Sequence, residues 1–532
     1  MKKNKFLKLR LVILAALFTT TLAAQEKNLT WEELRKDYQF PKWYTEARFG
    51  IWVHWGAQTQ PEKGGGWYAR HMYMQNVGRE TWGADAYPYQ LKTYGHPSEK
   101  GFKDVIHEWK ADRLNTDELL QYFKSIGAKY FVALANHHDH FDNFASTYQP
   151  WNSVNVGPKK DLIGLFQKSA VKYGIPFGVS SHDDRFLDWW KPAFGADSTG
   201  EKKGVKYDGW MTKADGKGKW WEGLDPADLY GLPPEKRTLE WIKGVKENYV
   251  KRTEELVTKY KPDLLWFDGY GFPYGDYGKE VCTYYFNKSL QSHGKVTAIV
   301  AGKFNNEPST VKDIERGGAN EILPYPWQGT LTFGSWFYKS DKPIRHNART
   351  VIETLTDVMS KNGNLLLNVE LLPDGRIPAD HKLILDTIGK WINTNAEAIY
   401  ASKPWKIYGD NLHGSKKQKH ISEADLEANK KQESEDFNER TIASPAYSHN
   451  EIRFTTKGKN LYVFVLNPIN GSIEIPSLGF KTAQNLKKVT AVEAIGSSKK
   501  VNFKQHEDKL IIQVNSEDKI GFTRVFRIKG IL

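Results

Sequence analysis

Four polar residues stand where apolar, strand-like runs of the sequence end. Asp268 follows one such run, and His54, His138 and Asn368 follow three others. Continuous apolar runs of this length are typical of strands buried on both faces of a parallel sheet. If the strand ends meet, carboxylate, imidazole and amide groups surround one pocket, where they can bind a polar ligand and transfer protons. The alternative is that Asp268 only begins a turn, since Gly269 comes next.

The carboxylates that line this pocket decide which reaction it can perform. Cleavage of a glycosidic bond needs one carboxylate that attacks or activates water and one carboxylic acid that protonates the leaving oxygen. Asp268 fits the first role. The candidates for the second role are Glu307, Glu315 and Glu321, which follow the next predicted strand. We predict Glu315, because the adjacent Arg316 is placed to hold or orient its side chain.

The histidines allow two other interpretations. A single histidine at a strand end, such as His54, is often a hydrogen-bonded core residue and not a ligand. His138 and His140 form a His-x-His pair that could bind a metal together with His182, as in a metal-dependent hydrolase. No second set of histidines and carboxylates in the sequence has convincing ligand spacing, so we predict that no metal or other cofactor is needed.

The sequence is rich in aromatic residues, with 19 tryptophans and 26 tyrosines. Aromatic rings pack well against the C–H faces of sugars, although many of these rings will form the core. Trp67, Trp266 and Trp336 accompany the polar strand ends along the sequence. A pocket that combines such rings with His, Asp and Asn side chains is typical of a carbohydrate-active protein.

Strand-like and helix-like segments alternate between Phe49 and Ile399, which predicts an α/β fold with a (β/α)8-like barrel. The predicted strands are Phe49–Trp55, Lys129–Asn136, Phe177–Ser181, Leu264–Phe267, Val296–Val300 and Asn364–Val369, with others expected near Ile314 and Ile322. The predicted helices are Leu114–Ile126, Lys159–Tyr173, Trp241–Lys259, Val281–His293, Ala348–Lys361 and Ala379–Asn393. The long insertions Gly64–Lys110 and Lys191–Arg237 have no sustained period and are expected to wall the site.

Three regions are predicted along the chain. Residues 1–24 show the order of charged, apolar and small residues that is typical of a secretory signal. Residues 25–400 are expected to form the barrel, and residues 401–532 an antiparallel β-sandwich, because short alternating segments dominate after Glu451. The strongly charged segment 416–440 is expected to be a surface excursion.

Composition and charge exclude several classes of protein. The signal predicts an exported protein, periplasmic or secreted, and no later stretch is long and apolar enough to insert into a membrane. The formal net charge of +13 is spread over 532 residues without the Lys/Arg clusters of a nucleic-acid binder, so it fits a lysine-rich surface or an anionic substrate. Cys282 is the only cysteine, so an intramolecular disulfide is excluded and the core must hold the fold.

Five motifs of the sequence resemble, in order, those of one enzyme family. They are Trp43–Gly56, Trp67–Arg70, His137–Phe141, Trp266–Gly269 and Gly363–Val369. The family is that of the α-L-fucosidases, glycoside hydrolase family 29. Its members show a Phe-Gly-Ile-His-Trp-Gly start, then Trp-Tyr-Ala-Arg, His-His-Asp-Gly-Phe, Trp-Phe-Asp-Gly and Gly-Asn-Leu-Leu-Leu-Asn-Val. Each motif is weak by itself, but five in the same order make the resemblance strong.

The resemblance implies a fold, a reaction and a set of residues. It implies a barrel followed by a β-sandwich, no metal, and an exo-acting, retaining hydrolase. Such an enzyme releases terminal α-L-fucose or a fucose-configured sugar through a covalent intermediate on Asp268, with Glu315 as the expected acid/base. The residues that the resemblance implies in sugar binding are His54, Trp67, His137, His138 and Trp266. We add Tyr68, His182, Arg316 and Trp336 as further candidates for sugar binding.

Three departures from the family pattern indicate a different sugar. Gly66 stands where members usually carry a sugar-binding glutamate, Gln328 replaces another glutamate, and Ser180–Asp184 replaces a tyrosine-rich strand end. Loss of a carboxylate and a tyrosine would open room and remove negative charge. We therefore expect the enzyme to accept α-L-galactose, including a 6-sulfated form, and fragments of sulfated polysaccharides. The same departures leave open a carbohydrate-binding protein without activity, although the intact Asp268 argues against it.

Overall fold

The computed structural model describes residues 28–75, 83–304, 307–316, 318–341, 344–412, 447–514 and 523–532. The predicted signal at residues 1–24 and the charged segment 416–440 lie outside these residues and stay predictions. Within the described ranges, no helix combines the length and the apolar character that crossing a bilayer requires.

Eight parallel strands close into a barrel in the order of the sequence, which confirms the predicted fold class. They are β1 (Phe49–Val53), β2 (Phe131–Asn136), β3 (Phe177–Ser181), β4 (Leu264–Tyr270), β5 (Ile299–Lys303), β6 (Val311–Glu315), β7 (Trp327–Thr332) and β8 (Gly363–Asn368). The strand expected near Ile314 is β6. The strand expected near Ile322 begins later, at Trp327, because Pro324 and Pro326 lack the N–H groups that a strand ladder needs.

The six predicted helices are all present between the strands, with shifted ends. They span Thr116–Ser125, Leu162–Tyr173, Leu239–Tyr260, Asp276–His293, Ala348–Ser360 and Ala379–Thr394. Asn115, Asp161, Thr238 and Asn347 begin four of them by accepting a hydrogen bond from a backbone N–H of the first turn. Shorter helices lie at Trp31–Lys36, Lys42–Thr45, Tyr68–His71, Ala86–Thr93, Phe102–Glu108, Phe186–Trp189, Ala227–Tyr230 and Ala396–Ile399.

The two long insertions are joined to each other by buried polar contacts. The carboxylate of Asp208, in the second insertion, accepts hydrogen bonds from the Nζ of Lys103 at 2.7 Å and from the hydroxyls of Tyr73 and Tyr230. Asp208 and Lys103 are almost fully buried, so the pair is shielded from water. These contacts stabilise segments that have little regular structure, and they hold the insertions as one wall.

An antiparallel β-sandwich follows the barrel. One sheet has the order β13-β16-β11-β10-β9 and the other the order β12-β15-β14. These strands are β9 (Lys403–Asp410), β10 (Glu451–Lys457), β11 (Asn460–Leu466), β12 (Gly471–Ile475), β13 (Ala491–Ala494), β14 (Phe503–Gln505), β15 (Leu510–Val514) and β16 (Arg524–Lys529). Apolar residues of both sheets, such as Val463 and Ile512, share one buried cluster. β9 and β14 were not expected from the sequence.

Candidate active site

The ends of β1, β2 and β3 bring four histidines together. His54 follows β1, His137 and His138 follow β2, and His182 follows β3. The ring centroid of His182 lies 4.7 Å from that of His54 and 5.1 Å from that of His137. It also lies 4.8 Å from the ring of Trp266 on β4. The ends of β1, β2 and β3 therefore form one polar and aromatic cluster with Trp266.

Asp268 projects into this pocket from a bulge in β4. Phe267 pairs with Gly302 on β5 and Tyr270 pairs with Lys303, so Asp268 and Gly269 have no partner on that strand. Gly269 has a φ of 85°, a left-handed conformation that other residues rarely adopt. A Cβ atom at this position would lie 2.2 Å from the carboxylate of Asp184. The glycine after the aspartate therefore creates the bulge that aims Asp268 inward.

Both carboxylate oxygens of Asp268 are in contact with basic groups. Oδ1 accepts a hydrogen bond from the Nζ of Lys303 at 2.8 Å, and Oδ2 lies 3.3 Å from the Nε2 of His138. Burial by itself raises the pKa of Asp268, but the charge of Lys303, the contact with His138 and the charge of Arg185 hold it well below its usual value. Asp268 is therefore ionised over the whole physiological pH range.

A second aspartate stands next to Asp268 in the opposite protonation state. Burial, followed by the negative charge of Asp268, raises the pKa of Asp184 to about 8. Two adjacent carboxylates cannot both ionise without mutual repulsion, so Asp268 takes the charge and Asp184 keeps its proton near neutral pH. Asp184 is not among the site residues predicted from the sequence.

Glu315, at the end of β6, lies near Asp268 and shares a partner with it. Its Oε2 is 2.8 Å from the Nζ of Lys303, the same atom that contacts Asp268. Burial raises the pKa of Glu315, but the positive charges of Lys303 and then Arg316 outweigh burial and lower it. Glu307 instead pairs with Arg35 at 3.2 Å. Of these two glutamates, only Glu315 is placed to work with Asp268.

Lys303 is the residue of this site that the sequence analysis missed. It ends the apolar strand β5, so it occupies the same kind of position as the residues that were singled out. That position was the signal that could have identified it. A lysine at a strand end is common in proteins without any site, and only its two carboxylate contacts mark it as part of the pocket.

Hydrogen bonds inside the pocket orient the histidine rings. The Nε2 atoms of His54 and His182 are 3.0 Å apart, and the side-chain amide of Gln58 donates to the Nδ1 of His137 at 2.8 Å. His138 donates its Nδ1–H to the backbone carbonyl of His182. Burial is the main cause that lowers the pKa of all four histidines. The pKa lies well below its usual value for His54, His137 and His182, and their neutral imidazoles can donate to or accept from the hydroxyl groups of a sugar.

Tryptophan rings line the pocket beside the histidines. The indole N–H of Trp266 donates to the Oδ2 of Asp313 at 2.7 Å, which fixes the orientation of the ring. The ring of Trp336 lies 5.0 Å from His54, and the guanidinium of Arg316 packs over it at 4.8 Å. Burial lowers the pKa of Arg316 to about 10, so it stays positively charged at neutral pH.

Trp67 and Tyr68 are neighbours in sequence but lie in different surroundings. The ring centroid of Trp67 is 6.0 Å from that of His138, at the side of the pocket. Tyr68 is fully buried, and its hydroxyl donates to the side chain of Gln90 at 2.6 Å. Consecutive residues at the start of a helix project in different directions. Tyr68 therefore belongs to the wall of the first insertion and not to the cluster of strand-end residues.

Two departures from the family pattern have a different meaning in the structure. A Cβ atom on Gly66 would lie 2.7 Å from the ring of Phe337, so this ring occupies the space that a larger side chain would need. Gln328 is fully buried inside the barrel, where it donates to Asp313 at 2.7 Å and accepts from the hydroxyl of Tyr130. The expectation that Gly66 opens room beside the sugar is wrong, because Phe337 fills that space, and Gln328 belongs to the hydrogen-bonded interior of the barrel.

The segment Ser180–Asp184, at the end of β3, also has a different effect on the pocket from the one expected. Asp183 pairs with the guanidinium of Arg252 at 2.7 Å and with the Nδ1 of His140. Asp184 lies beside Asp268. The segment therefore brings a carboxyl group to the pocket, where the sequence analysis expected negative charge to be removed.

The metal-dependent alternative required His138, His140 and His182 to converge. Their contacts diverge, because His140 bonds to Asp183, His182 faces His54, and His138 faces Asp268. Among the described residues, the group that brings its ligand atoms within 4.8 Å of one another consists of His138, Asp184 and Asp268. Lys303 already occupies one oxygen of Asp268. The histidine triad of that alternative is thus not assembled.

Comparison with known proteins connects this geometry to a family. The family model described as alpha-L-fucosidase matches residues 14–397, which is most of the chain. This chain belongs to the α-L-fucosidase family. It is 28% identical over 418 residues to the tissue α-L-fucosidase of Mus musculus, a match that covers 73% of this chain and 77% of the mouse protein.

Solved members of the α-L-fucosidase family have the same architecture. A Thermotoga maritima α-fucosidase in complex with a mechanism-based inhibitor is 25% identical, with a TM-score of 0.66 and coverage of 94% of this chain and 99% of the other. A structure of the Thermotoga maritima α-fucosidase with fucose gives a TM-score of 0.65 at the same identity and coverage. The protein is therefore a glycosidase of the α-L-fucosidase type, which decides against the metal-dependent hydrolase and the inactive binding protein.

Proposed function

We propose that the enzyme cleaves glycosides with retention of configuration, with Asp268 as the nucleophile and Glu315 as the acid/base. In the first step Asp268 attacks the anomeric carbon, the bond to the leaving oxygen breaks, and Glu315 gives its proton to that oxygen. In the second step water attacks the same carbon, Glu315 takes a proton from the water, and the bond to Asp268 breaks. The ionised state of Asp268 supports the role of nucleophile.

The spacing of the two carboxylates is the observation that carries the retaining mechanism. One oxygen of Asp268 and one of Glu315 each lie 2.8 Å from the same nitrogen atom of Lys303. Two oxygens that share a nitrogen at this distance are separated by at most about twice that distance. Retaining glycosidases place their two carboxyl groups about 5–5.5 Å apart, whereas inverting enzymes leave room for a water molecule between them.

We also propose that the enzyme acts on the terminal sugar of an oligo- or polysaccharide. The nucleophile lies on a buried floor, where Asp268 is 8% exposed, among histidines that are similarly buried. Trp67 from the first insertion and Trp189 from the helix after β3 pack together at one side of this floor. A pocket with a closed floor accepts the end of a chain more readily than its middle, which supports exo-action. The order of residue types in positions 1–24 supports export to the periplasm or the medium.

The proposed glycon is a fucose-configured sugar: L-fucose, or α-L-galactose with or without a 6-sulfate. Neutral histidines and tryptophan rings provide contacts for the hydroxyls and the C–H face that these sugars share. The guanidiniums of Arg316, packed over Trp336, and Arg185, near Trp67, support an anionic substituent. Both guanidiniums also offset the charges of the pocket carboxylates.

A single panel tests both the glycon and the nucleophile. Aryl α-L-fucoside, aryl α-L-galactoside and its 6-sulfated form are incubated with the wild type and with Asp268→Gly in the presence of azide. We expect the wild type to release the sugar first as the α-anomer, and Asp268→Gly to form the β-glycosyl azide, because azide enters the space left by the carboxylate. A β-anomer as the first product would refute retention. Turnover of the fucoside alone would refute the galactose and sulfate extension.

A further inference from the structure

Lys303 connects the two carboxylates of the proposed mechanism through one atom. Its Nζ lies 2.8 Å from Asp268 and 2.8 Å from Glu315, and its side chain is only 16% exposed. Among the described residues, no other cationic side chain forms ion pairs with both. The contact depends on the bulge in β4, which aligns Lys303 with Tyr270 instead of with Asp268. The lysine is thus built into the strand pairing of the barrel.

Other charged or titratable groups surround the same two carboxylates, but none of those in the described residues forms an ion pair with both. They are His138 after β2, His182, Asp184 and Arg185 after β3, Tyr270 on β4, Asp313 on β6 and Arg316 after β6. Asp184 keeps its proton near neutral pH, which leaves Asp268 and Glu315 as the carboxylates that need a counter-charge. Arg185 also attracts both carboxylates through its charge, but Lys303 is in direct contact with both, so the loss of Lys303 would increase the repulsion between Asp268 and Glu315.

We propose that Lys303 is a positioning residue that holds Asp268 and Glu315 at their working separation and sets the pH range of the reaction. This inference rests on the roles proposed above for the two carboxylates. Lys303 keeps its proton throughout the cycle. When Asp268 forms its ester with the sugar, that carboxylate loses its charge, and Lys303 then acts on Glu315 alone. Glu315 has just given up its proton, so Lys303 stabilises the carboxylate that must next accept a proton from water.

The proposal predicts a shift of the whole pH profile and not only a loss of rate. The acidic limb of kcat/KM reports the ionisation of Asp268, and the basic limb reports the protonated form of Glu315. A positive charge at hydrogen-bond distance lowers the pKa of both carboxyl groups, so its removal moves both limbs to higher pH, each by about 1–3 pH units. A residue that only supports the fold would lower kcat and leave the two limbs in place.

The test compares Lys303→Met, Lys303→Arg and the control Lys312→Met on the full-length enzyme. Lys312 lies on the neighbouring strand β6, between Val311 and Asp313, and its side chain projects to the other face of that strand. For Lys303→Met we expect both limbs of the pH profile to move to higher pH. We also expect kcat/KM to fall about hundredfold, because a displacement of reacting groups by about 1 Å can lower the rate by that factor. Lys303→Arg should restore the wild-type limbs, since arginine keeps the charge and can bridge two carboxylates. Lys312→Met should match the wild type.

Two results would overturn the proposal. One is a folded Lys303→Met enzyme in which the two limbs of the pH profile do not move. The other is a Lys303→Arg enzyme in which the limbs stay at the positions found for Lys303→Met. If circular dichroism shows that Lys303→Met does not fold, Lys303→Gln replaces it, and the same two limbs are read. The azide product of Asp268→Gly is measured in parallel. If that product fails to form, the roles of the carboxylates fail; if it forms while the limbs stay unmoved, only the role of Lys303 fails.

Discussion

Asp268 and Asp184 show how position decides the chemistry of two identical side chains. They lie side by side, yet Lys303, His138 and Arg185 hold Asp268 ionised while burial and the charge of Asp268 keep Asp184 protonated near neutral pH. A protonated carboxyl group can donate a hydrogen bond, and an ionised one can attack. One pocket therefore contains a nucleophile and a hydrogen-bond donor made from the same residue type.

The low pKa of Glu315 predicts an acidic pH optimum. Lys303 and Arg316 hold this pKa below its usual value of 4.5, and the first step requires the protonated form. That form becomes scarcer as the pH rises, so kcat/KM should decrease from acidic to neutral pH. The measurement is a pH profile of kcat/KM with an aryl fucoside. A profile that rises towards neutral pH would contradict the assignment of Glu315 as the acid.

Replacement of Glu315 by alanine should have an effect that depends on the leaving group. A glycoside with a poor leaving group needs the proton from Glu315, so its turnover should fall by about 10²–10⁴-fold. An activated aryl glycoside leaves without protonation and should retain most of its first-step rate. Glu307→Ala is the matched control, because Glu307 pairs with Arg35 away from the pocket and should retain activity on both substrates. Equal losses on both substrates for Glu315→Ala would reject this role.

At the scale of elements, strand β6 connects the interior of the barrel to the pocket. Asp313 and Glu315 are two residues apart, so their side chains emerge on the same face of the strand. Asp313 accepts hydrogen bonds from the indole of Trp266 on β4 and from the amide of Gln328 on β7. Burial raises the pKa of Asp313 to about 6. This side chain links three strands and sets the orientation of a pocket ring.

Asp313→Ala should weaken both stability and substrate binding. The indole of Trp266 and the amide of Gln328 would lose a buried acceptor, which costs about 1–3 kcal/mol of unfolding free energy for each unsatisfied group. Trp266 would also lose its orientation, so KM should rise more than kcat falls. Denaturant unfolding and steady-state kinetics measure the two effects. Thr330→Val removes only one bond of 3.3 Å to Asp313 and is the milder control. A normal KM in a destabilised Asp313→Ala enzyme would reject the orienting role.

At the scale of the whole molecule, a buried ion network joins the sandwich to the barrel. The Nε of Arg453 on β10 lies 2.6 Å from Asp357, which belongs to the helix Ala348–Ser360 between β7 and β8. Asp357 also pairs with Lys361 at 2.7 Å, and Arg453 with Glu451 at 3.1 Å. These side chains are almost fully buried, so each charge is stabilised by its partner in the network and not by water.

Removal of Arg453 should destabilise the enzyme. Arg453→Met leaves Asp357 buried with one cation fewer, which costs about 3–5 kcal/mol of unfolding free energy. Lys509→Met breaks an exposed pair with Glu474, which water screens, and should leave the free energy of unfolding almost unchanged. Denaturant unfolding of both variants gives the comparison. Equal stability of the two would mean that the network contributes little to the attachment of the sandwich.

The same network predicts how stability changes with pH. Burial raises the pKa of Asp357, but Lys361 and Arg453 outweigh it and hold this pKa below its usual value of 3.8. A carboxyl group with a lowered pKa in the folded state contributes stability above its unfolded pKa, and this contribution is lost as the pH falls through the folded value. The wild type should therefore lose more stability than Arg453→Met below about pH 4, where unfolded aspartate becomes protonated. Parallel losses in acid would contradict the low pKa of Asp357.

Much of the architecture could be predicted from local patterns. Apolar runs such as Leu264–Phe267 identified most barrel strands, because a strand covered on both faces must be apolar along its length. The start of β7 was misplaced, since the ladder is interrupted by Pro324 and Pro326. β9 was missed because its partner β10 lies about 40 residues later in the sequence, and β14 was missed because it is only three residues long.

The sequence by itself determined the kind of pocket and the residues that define the family. His54 and His138 follow apolar strands, and Trp266 and Asp268 lie on a third. Parallel strands in a closed barrel must bring their ends together. Local periodicity and motif order are properties of neighbouring residues, so the sequence contains them directly.

Only the tertiary structure decided how these residues act. Lys303 lies between Asp268 and Glu315 because of a bulge and the register of three strands, and Phe337 fills the space beside Gly66 from a distant loop. The protonation of Asp184 likewise depends on burial and on a neighbour 84 residues away in sequence. Such contacts depend on distances between segments that are remote along the chain, and pKa values follow those distances, so they exist only after the barrel has closed.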